Sequence, residues 1–302
     1  MYKRQDYGNA IINANMVNFN KFYNENPHTT LFASGHYVGL HDGQFGNSEI
    51  GHQTIGAGRL IKSREVLTDE YLDNLYLNED ENIQKLKGLT SKTIHLMGLA
   101  SDGNVHAGID DFIKMYEYLI KIGFTKIFFH LITDGRDTDS KAAYNYISLI
   151  EKNIQKNKVG CIASICGRYY AMDRDNNWDR VKEAYLSLTT GEGKSADNAV
   201  KALEESYAAD VTDEFVVPTV ITENGKPLSV VKPDDSVIFF NFRPDRAREM
   251  TRAFCDDKFT GFEREYIPTT FVCFKDYDES IPNKLVAFKK DCLLYTSPSP
   301  RD

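Results

Sequence analysis

One serine in a glycine-rich run has the surroundings that phosphoryl transfer requires. Residues 46–52 read Gly-Asn-Ser-Glu-Ile-Gly-His, and residues 55–59 read Ile-Gly-Ala-Gly-Arg. Asn47 is a favourable helix N-cap, so we expect Ser48 in the first helical turn, where unpaired backbone N–H groups favour an anion. A nearby divalent cation could also bind its hydroxyl as an alkoxide. The run fits neither common glycine-rich nucleotide-binding pattern, so a capped helix with packing glycines is the alternative interpretation.

A second set of polar residues follows apolar runs of strand length. The polar runs are Ser-Asp-Gly-Asn-Val-His at 101–106, Thr-Asp-Gly-Arg-Asp at 133–137, Gly-Arg-Tyr-Tyr-Ala-Met-Asp-Arg-Asp at 167–175 and Arg-Pro-Asp-Arg-Ala-Arg at 243–248. Taken singly, each is typical of an ordinary structural feature: a solvated turn, a hydrogen-bonded loop histidine, or the polar face of a helix. Together they would gather several guanidinium groups, which repel one another unless an anion lies between them. The pattern therefore indicates a small substrate with several negative charges.

The elements that must position these loops follow a repeated order of strand, loop and helix. Ligands of parallel sheets bind at the carboxyl ends of the strands, where the polar runs begin. We therefore predict an α/β fold with a parallel sheet and the anion site at that edge. The predicted strands are Thr93–Leu99, Lys126–Ile132, Val159–Ile165, Ser236–Phe242 and Thr270–Phe274. We further predict helices over 8–26, Asp179–Leu188 and Ala196–Tyr207, a strand over 29–34, an edge hairpin over Glu214–Val231 and a further element starting at Lys284–Phe288.

Composition limits the class of protein. A chain of 302 residues with 41% hydrophobic and 26% charged residues is typical of a soluble protein with room for two domains. The net charge of −8 argues against general binding to nucleic acid or membranes, because their phosphate groups would be repelled. The start shows no signal-peptide pattern, which predicts a cytoplasmic protein. The five cysteines are scattered and lack C-x-x-C spacing, as is typical of free thiols.

The serine run and the four polar loops together resemble one enzyme family. They follow the order found in cofactor-independent (2,3-bisphosphoglycerate-independent) phosphoglycerate mutase, a member of the alkaline phosphatase superfamily. The resemblance implies a parallel-sheet transferase domain inserted into an alkaline-phosphatase-like α/β domain that is mostly missing here. It divides the chain into a nucleophile-bearing fragment of the phosphatase-like domain at 6–61, the inserted transferase domain at 62–278, a return to the first domain at 279–293 and a tail at 294–302 that does not look native.

The activity that the resemblance implies is interconversion of 3-phosphoglycerate and 2-phosphoglycerate through a phosphoserine. Ser48 would be the nucleophile and a metal ligand, and Asp137 would be the base for the accepting hydroxyl of glycerate. The resemblance implies two Mn²⁺ ions, with Mg²⁺ or another divalent ion as the alternative, and no 2,3-bisphosphoglycerate. The implied substrate-binding residues are His106, Arg136, Asp137, Arg168, Arg174, Arg243 and Arg246.

The resemblance also implies that the other metal ligands of the family lie before the start of this chain and beyond Phe288. We therefore expect this fragment to be inactive by itself, with the segment before Lys62 loosely held. We expect a monomer that binds a small molecule, and neither nucleic acid nor a membrane. The alternatives are a metal-dependent phosphatase or other phosphomutase of the same superfamily, and a non-catalytic fragment that binds phosphoglycerate.

Overall fold

The computed structural model describes residues 13–14, 16–46, 48–63, 66–67, 70, 87–89 and 93–288. Contacts along the chain divide it into two compact units, 1–62 and 63–302. The four-part division derived from the family resemblance stays a prediction. Most of the stretch between residues 63 and 90, whose sequence is acidic and has a helical pattern, lies outside the described residues.

The described part of the first unit contains two helices, α1 (Val17–Glu25) and α2 (Ser48–Ala57). Helix α1 ends at Glu25, with Asn26 as its C-cap before Pro27, where the sequence predicts the end. The beginning of the predicted helix, residues 8–12, lies outside the described residues. None of the residues of α1 is buried. A small core forms instead around Leu40, Ile50 and Ile61.

The predicted strand over residues 29–34 is wrong. In this segment only Ser34 pairs, through a single bridge to Phe45. Leu31 is 87% exposed and Phe32 is 67% exposed. A strand needs a neighbouring strand that accepts and donates backbone hydrogen bonds along its length. In the described part of the first unit, Phe45 is the single residue that pairs with this segment.

The second unit is built on a mostly parallel sheet with helices packed against it, which confirms the predicted α/β class. The predicted strands agree with the observed ones to within two residues at each end. The strands are β1 (Thr93–Ala100), β2 (Lys126–Thr133), β3 (Cys161–Gly167), β4 (Lys194–Ala196), β5 (Thr219–Glu223), β6 (Lys226–Pro227), β7 (Ser236–Phe240), β8 (Thr270–Lys275) and β9 (Lys284–Phe288). The helices are α3 (Ile109–Lys121), α4 (Ala143–Asn157), α5 (Arg168–Ala171), α6 (Trp178–Thr189), α7 (Ala199–Ala208) and α8 (Arg248–Cys255).

The strand order reverses direction at the centre of the sheet, between β1 and β7. Across the described residues the order is β4-β5-β3-β2-β1-β7-β8-β9, with β6 paired to β5. All neighbours from β3 to β9 are parallel. The chain moves outward in one direction from β1 to β3 and in the other from β7 to β9. Loops that leave the carboxyl ends of β1 and β7 therefore diverge, and ligands of open α/β sheets bind at such a point.

The predicted hairpin is present, but its place in the sheet differs from the prediction. Asn224 and Gly225 connect β5 to β6 with φ angles of 52° and 73°, the left-handed geometry of a tight hairpin turn. Strand β5 is not at the edge, because it pairs antiparallel with β3 on one side and parallel with β4 on the other. Local sequence sets the turn, whereas the neighbours of β5 depend on segments far away in the chain.

Two further sequence predictions concern side chains and membranes. Cys161, Cys166, Cys255 and Cys273 are free thiols, as predicted, and Cys292 lies outside the described residues. Among the described helices, none has the length and apolar composition that crossing a bilayer requires.

A buried chain of polar side chains crosses the centre of the sheet. Asp235 Oδ2 lies 3.2 Å from His95 Nε2, His95 Nδ1 lies 2.8 Å from His130 Nε2, and His130 Nδ1 lies 2.7 Å from Ser164 Oγ. One proton on each ring satisfies every contact, with His95 donating to Asp235, His130 to His95 and Ser164 to His130. Burial and the neighbouring His95 hold the pKa of His130 well below its usual range.

We predict that His130→Asn weakens the pH dependence of stability. Because the unfolded chain protonates this histidine more readily than the folded protein does, the free energy of unfolding falls as the pH drops below about 6.5, by at most about 1.4 kcal/mol per pH unit. Trp178 is the single tryptophan and lies in the second unit, so its fluorescence follows urea unfolding of that unit. Between pH 7.5 and 5.5 the variant should lose less stability than the unmodified protein. Equal losses would contradict the prediction.

Candidate functional site

The Asp-Gly-Arg-Asp loop after β2 is folded by its first residue. Asp134 is 1% exposed, and its Oδ1 accepts the backbone N–H groups of Arg136 and Asp137 at 3.2 and 3.1 Å. Its Oδ2 accepts the hydroxyl of Ser101, at the end of β1, at 2.6 Å. Gly135 has a φ of 66°, and an added Cβ would lie 2.8 Å from the backbone nitrogen of Glu214. The predicted turn is therefore present, but its first carboxylate is buried and not solvated.

Arg168 joins this loop to the end of β3. Its side chain is 3% exposed, and its Nη1 donates to Asp134 Oδ1 at 2.6 Å and to Asp137 Oδ2 at 2.7 Å. Burial alone would raise the pKa of Asp134, but the bonds from Ser101, from the Asp137 N–H and from Arg168 lower it. Burial likewise opposes the charge of Arg168, yet Asp137 and Asp134 raise its pKa. Both groups are therefore charged inside the protein.

His106 presents a buried nitrogen that is satisfied by no described residue. The side chain is 3% exposed, and its Nδ1 has no hydrogen-bond partner within the described part of the chain. Burial, followed by the charges of Arg168 and Arg243, lowers the pKa of His106 to about 4, although Asp245 and Asp137 act in the other direction. The ring is therefore neutral near pH 7. A ligand atom beside Nδ1 would satisfy it.

The loop after β7 adds two arginines to the same edge. Arg246 is half-buried, and its Nη1 donates to the carbonyl of Met172 at 2.9 Å. Burial lowers the pKa of Arg246, and the charges of Arg168, Arg174 and Arg136 lower it further. These guanidinium groups are close enough to disfavour one another, as we predicted from the sequence. An anion among them would relieve the repulsion.

Carboxylates that the sequence analysis did not single out lie between the arginines. Asp245 lies 3.5 Å from Arg174 and 3.6 Å from Arg243, and Glu214 lies 3.3 Å from Arg136. Asp245 lies within the arginine-rich run after β7, which was its only sequence signal, whereas Glu214 has no arginine near it in the sequence. The structure thus brings together all the implied substrate-binding residues of the second unit: His106, Arg136, Asp137, Arg168, Arg174, Arg243 and Arg246.

Ser48 is the first residue of α2, in agreement with the predicted helix start. Its side chain is exposed, and its Oγ lies 3.2 Å from His52 Nδ1 one turn later. The same ring nitrogen lies 2.7 Å from the carbonyl oxygen of Ser48, so it donates to that carbonyl and does not serve as a base for the hydroxyl. Asn47, the predicted N-cap, lies outside the described residues. An added Cβ at Gly46 would lie 2.1 Å from the carbonyl oxygen of Ala33, which explains one glycine of the run.

The family resemblance implies that this chain supplies Ser48 to a metal site whose other ligands lie outside it, and that site stays a prediction. Within the described residues, no group of three or more His, Cys, Asp or Glu side chains could hold an ion. The side chain that the structure places against Ser48 Oγ is His52, which does not complete a set of ligands. We therefore derive no chemical step through a metal from this chain.

We predict that Arg168→Met strongly destabilises the second unit, because it leaves Asp134 buried without its cation. Removing one partner of a buried ion pair costs about 3–5 kcal/mol. Arg136→Met is the control, since its pair with Glu214 joins side chains that are 53% and 20% exposed, and such pairs contribute about 0–1 kcal/mol. Urea unfolding monitored by Trp178 measures both. Equal losses for the two variants would show that the Arg168 pair is not the main link between the loops.

Comparison with known proteins gives one consistent result. The family model described as BPG-independent PGAM N-terminus (iPGM_N) matches residues 63–279. The 2,3-bisphosphoglycerate-independent phosphoglycerate mutase of Clostridium perfringens (strain SM101 / Type A) is 45% identical over 287 residues, covering 94% of this chain and 56% of that protein. The enzyme of the same name from Lachnoclostridium phytofermentans is 45% identical over 298 residues, covering 96% and 57%.

A solved structure is also similar. The Leishmania mexicana phosphoglycerate mutase, determined at low cobalt concentration, superposes with a TM-score of 0.76 at 31% identity. The match covers 86% of this chain and 50% of that one. The chain thus spans about half the length of the relatives it matches.

Proposed function

Because the chain belongs to the BPG-independent phosphoglycerate mutase N-terminal family, we propose that it is part of an enzyme that interconverts 3-phosphoglycerate and 2-phosphoglycerate. The observation that carries this proposal is the arginine cluster around the unsatisfied Nδ1 of His106. Either phosphoglycerate offers a phosphate and a carboxylate on a three-carbon frame. Guanidinium forks suit both groups, since each accepts two parallel N–H bonds.

The arginines divide into fixed and exchangeable groups. Arg168 is locked between two aspartates and sets the positions of the loops. Arg174 and Arg243 are exposed and pair loosely with Asp245, so an incoming anion can replace that carboxylate as their partner. Arg246 is tied to a backbone carbonyl and has no ion pair among the described residues. We propose that Arg174, Arg243 and Arg246, together with Arg136, hold the substrate.

The proposed chemistry uses Ser48 as the nucleophile. Its hydroxyl loses its proton and the oxygen forms a bond to phosphorus, while the bond from phosphorus to the glycerate oxygen breaks and that oxygen takes up a proton, which leaves a phosphoserine and bound glycerate. In the return step the other hydroxyl of glycerate attacks the phosphorus of the phosphoserine and gives its proton to Asp137, while the bond from phosphorus to the Ser48 oxygen breaks and that oxygen takes up a proton. Arg168 fixes the orientation of the Asp137 carboxylate for this role. Family membership further supports independence from 2,3-bisphosphoglycerate.

A divalent metal belongs to the proposal through the family. Cobalt is named for the Leishmania mexicana structure, and we propose Mn²⁺, with two ions per complete enzyme, as the natural counterpart; it would neutralise charge on the transferred phosphoryl group. The cytoplasmic location and the monomeric state likewise stay predictions.

Ligand binding and turnover test the proposal together. Calorimetric titration of the 302-residue chain should show that 3-phosphoglycerate and 2-phosphoglycerate bind and compete for one site, with glycerate weaker. Phosphoglycerate mutase activity of the complete enzyme should be measured through enolase, with and without Mn²⁺. Release of inorganic phosphate without the isomer would favour the phosphatase alternative, and binding without turnover in the complete enzyme would favour the binding-fragment alternative. Absence of binding would contradict the proposed substrate.

We predict that Arg246→Lys weakens the binding of 3-phosphoglycerate. A single ammonium cannot replace a planar fork, and a hydrogen bond to a charged group contributes about 1.5–3 kcal/mol, which corresponds to roughly 10- to 150-fold in Kd. Arg248→Lys is the matched control, because Arg248 donates to the carbonyl of Tyr277. Calorimetric titration measures both variants. Similar Kd values for Arg246→Lys and the unmodified chain would reduce this arginine to a solvated surface group.

We predict that Ser48→Ala abolishes phosphoglycerate interconversion in the complete enzyme and leaves 3-phosphoglycerate binding intact. The substitution removes the nucleophile, whereas the arginine loops belong to the second unit. Ser195→Ala, at an exposed position of β4, is the control. The enolase-coupled assay and calorimetric titration separate the two effects. Interconversion by Ser48→Ala within about tenfold of the unmodified rate would refute the assignment.

A further inference from the structure

A buried carboxyl group lies at the start of the helix that follows the Arg243–Arg246 loop. Glu249 is the second residue of α8 and is 6% exposed. Its Oε1 accepts the backbone N–H of Asn176 at 2.9 Å, while its Oε2 is buried without a donor among the described residues. Asn176 lies in the loop of residues 172–177, which connects α5 to α6 and carries Arg174. A carboxylate held with one oxygen unsatisfied would be costly.

The side chain of Asp173 lies beside Glu249, close enough for a hydrogen bond between the two carboxyl groups. Such a bond requires that one of them carries a proton. Asp173 accepts four other donors: the N–H groups of Asp175 and Asn177, the Asn177 amide and Arg180. Glu249 accepts one. The carboxylate that accepts more hydrogen bonds keeps the negative charge, so Glu249 holds the shared proton.

The electrostatics agree with this assignment. Burial would raise the pKa of Asp173, but the bonds from Asn177 and Asp175 outweigh it and lower the pKa. Burial, with the charges of Asp173 and Asp175, raises the pKa of Glu249 to about 7. Asn176 and Arg180 complete the polar groups around the pair.

The pair connects two substrate-binding arginines. The carbonyl of Met172, at one end of the loop, accepts from Arg246. Arg174, in the middle, pairs with Asp245. Two residues later, Asn176 is held by Glu249. We propose that Glu249 is a positioning residue that closes the 172–177 loop onto α8 by donating its proton to Asp173, and thereby fixes Arg174 and Arg246 for the anion.

The proposal deepens the proposed function and rests on it for the identity of the ligand. Its consequence is a pH dependence whose sign is set by the pair. When Glu249 loses its proton, two carboxylates face each other in a buried place, and the loop is released. Anion affinity should therefore weaken as the pH rises through 7. The ligand's own charge also changes with pH, but this affects a variant with an amide at position 249 equally, so a comparison with that variant isolates the effect of Glu249.

Glu249→Gln is the central test, because the amide still accepts from Asn176, donates to Asp173 and cannot ionise. Calorimetric titration of the 302-residue chain with 3-phosphoglycerate should give equal Kd values for this variant and the unmodified chain at pH 6. At pH 8 the variant should bind about tenfold more tightly, as follows when a group with a pKa near 7 must be protonated for binding. Glu204→Gln, at an exposed position of α7, should match the unmodified chain at both pH values.

Two further measurements keep the outcomes distinct. Glu249→Ala removes the acceptor for Asn176 and should weaken binding at both pH values, with urea unfolding as a check on folding. Trp178 directly follows the loop, so its fluorescence without ligand should change near pH 7 in the unmodified chain and not in Glu249→Gln. Absence of 3-phosphoglycerate binding together with this difference in fluorescence would refute the proposed substrate but support the positioning role. The role of Glu249 would be refuted if the ratio of the Kd values of Glu249→Gln and the unmodified chain were the same at pH 6 and pH 8, and if the Trp178 fluorescence of the unmodified chain did not change between them.

Discussion

The buried ion pair between Arg168 and Asp134 is the interaction on which the rest of the site depends. Asp134 follows β2, Arg168 follows β3, and Ser101, which donates to the same carboxylate, follows β1. Three strand ends are thus joined through one carboxylate. Two charges in a buried place are costly to desolvate, and only close contact with further hydrogen bonds offsets that cost. The contacts at 2.6 Å from both Arg168 and Ser101 meet this requirement.

The sequence predicted the sheet well because local information decides it. Apolar runs such as that of β1, in which seven of eight residues are buried, can lie only in a strand covered on both faces. The prediction of a strand over 29–34 was wrong because its apolar residues, among them Leu31, find no partner strand within the described residues. The predicted edge position of β5 was wrong for a related reason. Its neighbours come from β3 and β4, and no local pattern encodes that pairing.

The site was predicted in part. Arginines at strand ends could be recognised because mutually repelling guanidinium groups gather at one edge of a sheet chiefly where they bind an anion. The Asp-Gly-Arg-Asp run, taken singly, was interpreted as a solvated turn, since aspartate is common in turns for local reasons. Asp134 is both: it makes the turn and receives a guanidinium from another strand. Glu249 gave no sequence signal at all. Its helical position resembles that of any surface glutamate, and burial against the 172–177 loop becomes visible only in three dimensions.

The same device occurs twice around the arginine cluster. Asp134 accepts two backbone N–H groups of its own loop and a guanidinium from elsewhere, and Asp173 does the same with its loop and Arg180. Each carboxylate therefore shapes a loop that presents an arginine, Arg136 in one case and Arg174 in the other. Loops that are folded by their own hydrogen bonds lose little conformational freedom when an anion binds. Arg174 and Arg243 can then exchange Asp245 for a ligand while the backbone of their loops stays fixed. Loosely paired side chains can in this way still define one binding geometry.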